Sequence, residues 1–401
     1  MGLKLKTKSL FPLVILFNLC VTFNIFIDEN FRNYLLIYSL SPIILFSLIN
    51  IKKLKHIYEL TLILITFVSP LFHIFILNTG YDILTFLNTV FLSLSYFSFT
   101  KLLIDKNLNL KYYLTILRII IFSFALMSLV QLLCDLLGIP IPNLISVRHI
   151  FSYNSLAIEP SHTGKIISLT FISYIYLIKT FNKFNNFKDK INIERLVIVS
   201  TIIVILLCGG VSSLINLLFI AFFLIDQDKF IYFALFLIFF IFLLFLNNNE
   251  NIVRIYEFVS SLLTFNRDNI LNLAQNDLST TARILPLFDY FNNARTTFDF
   301  LFGTGVSYIT TSSIIGLYDV NVIGGFIPGY LITNGLFSFI YFIYVFFLRL
   351  FKNINLKLLI TFIALYSYTG YNVPHFWYAL LILRSTSYFI NSIKSSKTLK
   401  I

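Results

Sequence analysis

Charged residues are scarce in this chain, and their scarcity limits what the protein can be. Only 12% of the 401 residues are Asp, Glu, Lys or Arg, whereas 58% are hydrophobic. Mean hydropathy is +0.87, and no polar stretch is long enough to form a soluble domain. The composition therefore predicts a single integral membrane domain over residues 1–401 and excludes a soluble globular protein.

Cysteine is also rare, which argues against two kinds of site. The three cysteines lie singly in or beside apolar runs, without metal-ligand spacing and without an obvious disulfide partner: Cys20, Cys134 and Cys208. We interpret them as small core residues. The sequence predicts no metal site and no cofactor.

Apolar runs, by contrast, are abundant, and they predict an all-α fold. Runs that could cross a bilayer lie at about 10–27, 34–50, 58–77, 83–104, 112–137, 164–181, 195–208, 211–225, 230–246, 323–350, 356–371 and 374–391. They predict a polytopic integral membrane helix bundle of about twelve transmembrane helices, with a range of roughly ten to twelve. The two short runs that flank Gly209 and Gly210 predict a tight helical hairpin.

The distribution of positive charge predicts the orientation. Basic clusters fall on alternate turns between the apolar runs, at 52–55, 101–111, 179–195, 349–357 and 394–400. By the positive-inside rule these turns are cytoplasmic, and so are both termini. The net charge of +12 is therefore largely topogenic, and we expect no nucleic-acid partner.

On this topology the external side uses arginine almost exclusively. Its arginines are Arg32, Arg148, Arg254, Arg267, Arg283 and Arg295. Lys165 is the only lysine near that side. A guanidinium group binds phosphate or carboxylate oxygens bidentately, whereas a lysine is mostly a mobile point charge. The pattern predicts an anionic ligand; the alternative is that arginine merely suits the membrane interface.

One external loop, 138–163, concentrates ionisable groups beside a helix start. Pro160 suits the first helical turn, which puts Glu159 at or near the N-cap. In one interpretation Glu159 only caps the helix. In the other, which is compatible with the first, Arg148 and the helix N-terminus face one polar pocket in which Glu159 is an ionised base. His162, in the first turn, would be a hydrogen-bonding partner or a structural surface histidine.

The second external segment, 247–322, is far longer than a loop that merely connects helices. Apolar residues recur through it at helical spacing, as at Leu287, Phe291, Ala294 and Phe298. We expect amphipathic helices that lie along the outer membrane face or fold over a cavity as a lid.

Three features of this segment bear on function. N-cap candidates at 279–281 place Arg283 near a helix start, and the spacing of Arg295 and Asp299 allows them to pair. The turn Phe-Gly-Thr-Gly at 302–305 is expected to end a helix in flexible, exposed backbone. Two glycines are only a weak indication of a phosphate cradle.

Several short patterns, in order, resemble the bacterial O-antigen and capsule repeat-unit polymerases (Wzy type), which share a superfamily with the O-antigen ligases. The matching pieces are Arg148, Glu159-Pro160-Ser161, Ser279 with Arg283, Phe302-Gly303-Thr304-Gly305, Gly329-Tyr330-Leu331 with Asn334-Gly335-Leu336, and Pro374-His375-Phe376-Trp377. The resemblance covers the C-terminal two thirds of the chain. It implies a multi-spanning, metal-independent enzyme of the bacterial inner (cytoplasmic) membrane that joins glycan units carried on undecaprenyl pyrophosphate.

The resemblance also implies roles for particular residues. Arg148 and Arg283 would hold the donor pyrophosphate, and Glu159 would act on the acceptor side. The ligases use a histidine in the large external loop, and this chain has none between 247 and 322, which favours a polymerase. The implied partners are the lipid-linked oligosaccharide as donor and acceptor, the lipid bilayer and, as a further candidate, a chain-length regulator protein.

Glycosyl transfer from a lipid pyrophosphate needs cations for the leaving group and a base for the attacking hydroxyl. Glu159 is the first candidate for the base and His162 the second. A single direct attack inverts the anomeric carbon, which predicts an inverting, GT-C-like glycosyltransferase with its active site on the periplasmic face. The catalytic candidates are Glu159, His162, Arg148 and Arg283, and the substrate-binding candidates are Arg148, Arg283, Arg295, Ser161, His375, Tyr371 and Trp377.

Other interpretations remain open. Tyr371, His375 and Trp377 could form an interfacial aromatic belt instead of stacking on sugars. His73, within an apolar run, could be a hydrogen-bonded packing residue or a proton carrier. At the level of the whole protein, the rivals are a flippase or transporter of the same lipid-linked glycan and an O-antigen ligase. Acidic residues are nearly absent from the spans and the two halves of the chain differ, which argues against transport.

Overall fold

The computed structural model describes residues 7–23, 34–49, 57–77, 83–105, 108–144, 152–184, 192–224, 296–305, 325–350, 354, 356–367 and 369–398. Within these ranges all regular structure is helical. The α-helices are α1 Thr7–Cys20, α2 Tyr34–Ile49, α3 Ile57–Phe75, α4 Ile83–Asp105, α5 Leu110–Leu136, α6 Pro160–Phe184, α7 Arg195–Cys208, α8 Gly210–Leu224, α9 Thr297–Phe302, α10 Tyr330–Ile343, α11 Leu356–Tyr366 and α12 Pro374–Thr398. Short π-helical segments, Gly325–Gly329 and Tyr344–Leu350, flank α10.

The helices have the membrane character that the composition predicts. Among the described residues, four stretches are long and apolar enough to cross a bilayer: Phe86–Ile104, Leu110–Leu136, Pro160–Phe184 and Tyr330–Phe347. Shorter apolar helices accompany them. The protein is therefore a helical membrane protein, while the number of about twelve spans stays a prediction. The apolar run at 230–246 and most of the segment 247–322 lie outside the described residues.

The tight hairpin that the sequence predicts is present. α7 ends at Cys208 and α8 begins at Gly210, so Gly209 alone separates them. Both helices pack on α6 and on each other. The hairpin brings Asn216, near the middle of α8, against the backbone of Gly164, near the start of α6.

α12 lies at the centre of the bundle. Every residue from 376 to 383 is buried, and the helix packs on α1, α4 and α6. A helix that is buried all round belongs to the interior. Tyr378 has a partner inside the bundle, since its hydroxyl lies 2.6 Å from that of Thr170. Such interhelical hydrogen bonds help hold helices together in a membrane, because the hydrophobic effect does not drive helices to associate there.

Hydrogen bonds between helix ends define one end of the bundle, here called the Glu159 end. Thr22 N donates to Leu156 O at 2.6 Å, and Tyr153 N donates to Leu207 O at 3.0 Å. Of the described lysines and arginines, only Lys165 lies within two turns of this end. The opposite end carries most of the others, as the positive-inside pattern leads one to expect.

The turn at 302–305 differs from its prediction as a flexible, exposed turn. Gly303 and Gly305 are buried, and the turn packs into a break in α10, where Gly335 has φ 77° and ψ 173°. Thr304 N donates to Ile332 O at 2.9 Å, and Gly305 N donates to Thr333 O at 3.2 Å. The break would leave these carbonyls unpaired, so the turn completes the backbone hydrogen bonding of α10. These two amides are therefore not available to cradle a phosphate.

Of the helical stripe expected at Leu287, Phe291, Ala294 and Phe298, only Phe298 lies within the described residues. Thr296 is the N-cap of α9, with φ −66° and ψ 147°. Its side chain accepts a hydrogen bond from Asp299 N at 3.2 Å, so a new helix begins there. Phe298 thus lies in the first turn of this short helix. The expected pairing of Asp299 with Arg295 involves a residue outside the described ranges.

Candidate functional site

The start of α6 has the geometry that the sequence predicts. α6 begins at Pro160, and the carbonyl of Glu159 accepts hydrogen bonds from His162 N at 3.1 Å and Thr163 N at 3.2 Å. Ser161 Oγ donates to Glu159 Oε2 at 3.2 Å. Proline suits the first turn because its missing N–H would have no partner there. Three of the candidate residues, Glu159, Ser161 and His162, therefore lie in one helix start.

Glu159 and His162 form an open carboxylate–imidazole pair. Glu159 Oε2 lies 3.9 Å from His162 Nε2, with side-chain exposures of 54% and 24%. This distance is longer than a hydrogen bond, so the two groups are neighbours without a fixed bond. A hydroxyl group of a ligand could reach either of them from solvent.

The structure brings His375 to this pair from the far end of the sequence. His375 is the second residue of α12, and its ring centroid lies 4.0 Å from that of His162, with the planes at 36°. The side chain is 6% exposed, and its Nε2 has no hydrogen-bond partner among the described residues. Two candidates that are more than 200 residues apart in sequence thus meet directly.

Lys165, which is not among the site residues predicted from the sequence, joins the same cluster. Its Nζ donates to Thr369 Oγ1 at 3.0 Å, which ties α6 to the connection between α11 and α12. Lys165 lies three residues after His162, so both project from neighbouring positions on one helix face. That spacing is the signal from which a role for Lys165 could have been inferred.

A buried amide network holds the loop that carries Glu159, and it too was not anticipated. The side chain of Asn154 is 1% exposed, and its Nδ2 donates to Ala157 O at 2.7 Å and to Ile158 O at 3.1 Å. Its Oδ1 accepts from Gln131 Nε2 at 3.0 Å. These bonds fix the backbone immediately before Glu159, because the carbonyls of the two preceding residues are both occupied.

Gln131 anchors the same loop to α5. Its side chain is completely buried; Oε1 accepts from Ser155 N at 2.8 Å and Nε2 donates to Pro142 O at 2.8 Å. Ser155 has φ 51°, a left-handed backbone conformation that a non-glycine residue holds only where its surroundings fix it. The loop is therefore held from inside the bundle.

Tyr153 adds a second anchor to α5. Its hydroxyl donates to the Asp135 carboxylate. Burial is the main cause that raises the pKa of Tyr153 to about 12, and the hydrogen bond to Asp135 contributes in the same direction. The hydroxyl therefore stays protonated at physiological pH and acts as a permanent donor.

Tyr371 and Trp377 occupy structural positions beneath the cluster. Both side chains are buried, Trp377 Nε1 donates to Tyr371 O at 2.8 Å, and Tyr371 Oη lies 3.0 Å from Thr333 Oγ1. Neither ring is open to a ligand in this conformation. Their burial favours packing, and a sugar-stacking role stays a prediction.

His73 has the hydrogen bond expected of a packing residue. It is fully buried, and its Nε2 lies 2.9 Å from Phe302 O, to which it donates in the corresponding tautomer. The bond helps hold the turn at 302–305 against α3 and α10.

The three candidate arginines lie outside the described residues: Arg148 and Arg283, expected to bind the diphosphate, and Arg295, a further substrate-binding candidate. The N-cap candidate Ser279 lies outside them too. Their roles therefore remain predictions. Within the described ranges, no group of three or more His, Cys, Asp or Glu side chains is arranged to hold a metal ion.

The cluster at the Glu159 end thus offers an exposed carboxylate, two imidazoles and an ammonium group. Such a set can accept a proton from a hydroxyl, donate hydrogen bonds to it and attract a negative group. No protein-family model, curated protein or solved structure matches this chain.

Proposed function

We propose that this protein is a membrane glycosyltransferase that polymerises oligosaccharide repeat units carried on undecaprenyl pyrophosphate, at the outer face of a bacterial inner membrane. The supporting observation is the meeting of His162 and His375 beside Glu159. The sequence predicts all three as site residues, and they come from two helix starts that are distant in the chain. Their convergence supports placing the reaction at the Glu159 end.

In the proposed reaction the acceptor sugar hydroxyl loses its proton to Glu159, with His162 as the alternative base. The hydroxyl oxygen attacks the anomeric carbon of the donor, a new glycosidic bond forms, and the bond from that carbon to the diphosphate oxygen breaks. The electron pair leaves with undecaprenyl diphosphate, whose charge Arg148 and Arg283 would stabilise. One displacement inverts the anomeric configuration.

Transport of the same lipid-linked glycan is the second candidate, because α10 is broken at Gly335. Discontinuous helices form the substrate and ion sites of many transporters, which use the freed backbone groups for binding. Here, Thr304 and Gly305 already occupy the carbonyls of Ile332 and Thr333. That occupation removes those two carbonyls as ligands and favours the enzyme.

Reconstitution separates the two candidates. The purified protein would be placed in liposomes with its host's lipid-pyrophosphate-linked repeat units in the presence of EDTA, and the products would be sized on a gel. A ladder of lengths is the expected result. If the lipid-linked unit instead crosses the bilayer without growing, the protein is a flippase.

The roles assigned to Arg148 and Arg283 can be tested in the same polymerisation assay. Arg148→Ala and Arg283→Ala should each lower polymer formation by at least about 100-fold, because the leaving charge loses its stabilisation. Arg283→Lys should not restore activity if bidentate contact matters. Expression would be checked by size-exclusion chromatography, and normal polymer from either alanine variant would refute the diphosphate site.

Glu159→Gln should lower kcat by about 100-fold while changing KM little, because the amide keeps the shape but cannot accept the proton. The matched control is Glu194→Gln, which alters an exposed carboxylate paired with Arg118 at the other end of the bundle. That variant should polymerise normally. If Glu159→Gln forms polymer as fast as Glu194→Gln, Glu159 is not the base and His162 becomes the candidate.

A further inference from the structure

We propose that His375 is a positioning residue, which stacks on His162 and so holds that imidazole beside the Glu159 carboxylate. The inference rests on the proposed function, since it concerns how the same site places the acceptor hydroxyl. It changes the role expected from the sequence, in which His375 is a substrate-binding candidate. Three observations carry it: the stacking geometry, the burial of His375, and the hydrogen bonds around its backbone.

The two imidazole rings are in direct contact. Their centroids lie 4.0 Å apart, and their planes are inclined at 36°. At this separation the rings overlap, so His162 cannot turn its edge towards α12 without meeting His375. The contact therefore limits the orientations that the His162 ring can adopt.

This restraint matters because Glu159 does not hold His162 by a hydrogen bond. Glu159 Oε2 lies 3.9 Å from His162 Nε2, which is beyond hydrogen-bond distance. The side chain of His162 is also 24% exposed. The ring is thus neither enclosed by its surroundings nor bonded to the carboxylate.

The orientation of His162 bears on the proposed reaction, in which the acceptor hydroxyl donates its proton to Glu159. A hydroxyl oxygen that bonds to Oε2 from the side of His162 lies against the imidazole, since the two residues are neighbours. The ring then limits where that oxygen sits when it attacks the anomeric carbon. Small errors in such placement slow a reaction strongly. We therefore expect loss of the stack to lower kcat more than it weakens substrate binding.

His375 itself is enclosed. Its side chain is 6% exposed, which leaves little room for contact with a glycan. Its Nε2 has no hydrogen-bond partner among the described residues, whereas a side chain that acts through hydrogen bonds would have one at a buried polar atom. The ring face, and not this nitrogen, is therefore the part of His375 that serves the site.

The backbone around His375 is held by hydrogen bonds on both sides. Phe376 N donates to Val373 O at 3.2 Å, at the first turn of α12. Trp377 Nε1 donates to Tyr371 O at 2.8 Å, and α12 packs on α6. His375 thus presents its ring from a fixed support.

Nuclear magnetic resonance can measure the ring contact without turnover. The full-length protein with isotope-labelled histidine would be recorded in detergent micelles. The chain has five histidines, and the His162 signal is the one missing from His162→Gln. A neighbouring ring face shifts a resonance through its ring current. We expect His375→Leu to remove that shift from the His162 signal and His375→Phe to preserve it.

Polymerisation by the same variants tests the functional consequence. His375→Leu keeps an apolar side chain but loses the flat ring. Its kcat should fall about tenfold, the order of magnitude that a lost ring stack gives, while KM changes little. His375→Phe should restore most of the rate, because it presents a flat ring without nitrogen atoms.

Two further variants separate positioning from general damage. Phe389→Leu removes another buried ring of α12, which stacks on Tyr113 with centroids 5.0 Å apart near the opposite end of the helix. It should lower Tm without lowering kcat. In a His162→Gln background, His375→Leu should cause no further loss of kcat, because a residue that acts through His162 then has nothing left to position.

The outcomes distinguish this inference from the polymerase assignment. An unchanged His162 signal in His375→Leu would overturn the inference, as would native kcat in that variant or additive losses in the double variant. If His375→Phe keeps the signal shift but is as slow as His375→Leu, the nitrogen atoms of His375 act directly and the positioning role is wrong. Absence of a polymer ladder from the native protein would refute the polymerase, whereas the His162 signal would still show whether His375 orients the ring.

Discussion

Replacing Gly335 by alanine is expected to leave little folded protein. Its Cβ would lie 2.4 Å from Gly303 N and 2.4 Å from Leu301 O, closer than any real carbon contact. Both neighbours are backbone atoms, so no side chain can rotate away. The φ of 77° with ψ 173° is in addition a conformation that only glycine adopts readily. We expect a loss of more than about 3 kcal/mol of folding free energy.

The same clash is expected when the glycine on the other side of the contact is replaced, and Gly138 supplies the control. A Cβ at Gly303 would lie 2.5 Å from Thr333 O and 2.6 Å from Gly335 N, so Gly303→Ala should fail in the same way. Gly138 has a φ of 66° but nothing within 4 Å of an added Cβ, and Gly138→Ala should cost only about 1 kcal/mol. Yield of monodisperse protein and Tm would be compared. A Gly335→Ala variant as stable as Gly138→Ala would show that the two segments do not touch.

Asn154→Ala should make the loop that carries Glu159 more mobile. The substitution removes the donor for the carbonyls of Ala157 and Ile158 and the acceptor for Gln131. Each buried group left unpaired costs about 1–3 kcal/mol, so we expect a total loss of about 3–5 kcal/mol. Polymer formation should fall together with stability, because Glu159 would lose its fixed position relative to His162.

Hydrogen exchange can localise this effect. Amides from 152 to 159 should exchange much faster in Asn154→Ala than in the native protein, while those in the centre of α12 should change less. The matched control is Asn88→Ala, which removes an exposed amide that donates to Asn372 O at 2.8 Å. That change should cost about 1 kcal/mol or less. If both variants exchange alike at 152–159, the network does not hold the loop.

Much of the helical framework could be predicted from the sequence. The bounds of α7 match the predicted run, and those of α8 differ from it by one residue at each end, because apolar length and the paired glycines mark a helix and its end. Pro160 likewise marked the start of α6, since proline is best tolerated in the first turn. These are local properties, and the sequence around each position carries them.

The contacts that join distant parts of the chain could not be predicted from local sequence patterns. The sequence predicts an exposed turn at Gly303, since nothing nearby in the sequence indicates that Gly335 breaks a helix to receive it. The roles of Asn154 and Gln131 are hidden in the sequence for a related reason. A polar residue in an apolar run has no visible partner until the helices are packed.

The burial of α12 also bears on how the protein is made. α12 is translated after every helix on which it packs, including α1, α4 and α6. Until it arrives, the Thr170 hydroxyl of α6 lacks the Tyr378 hydroxyl that it contacts in the finished bundle. The earlier helices therefore cannot reach their final packing until α12 joins them. The pairing of His162 with His375 can form only after α12 has been inserted.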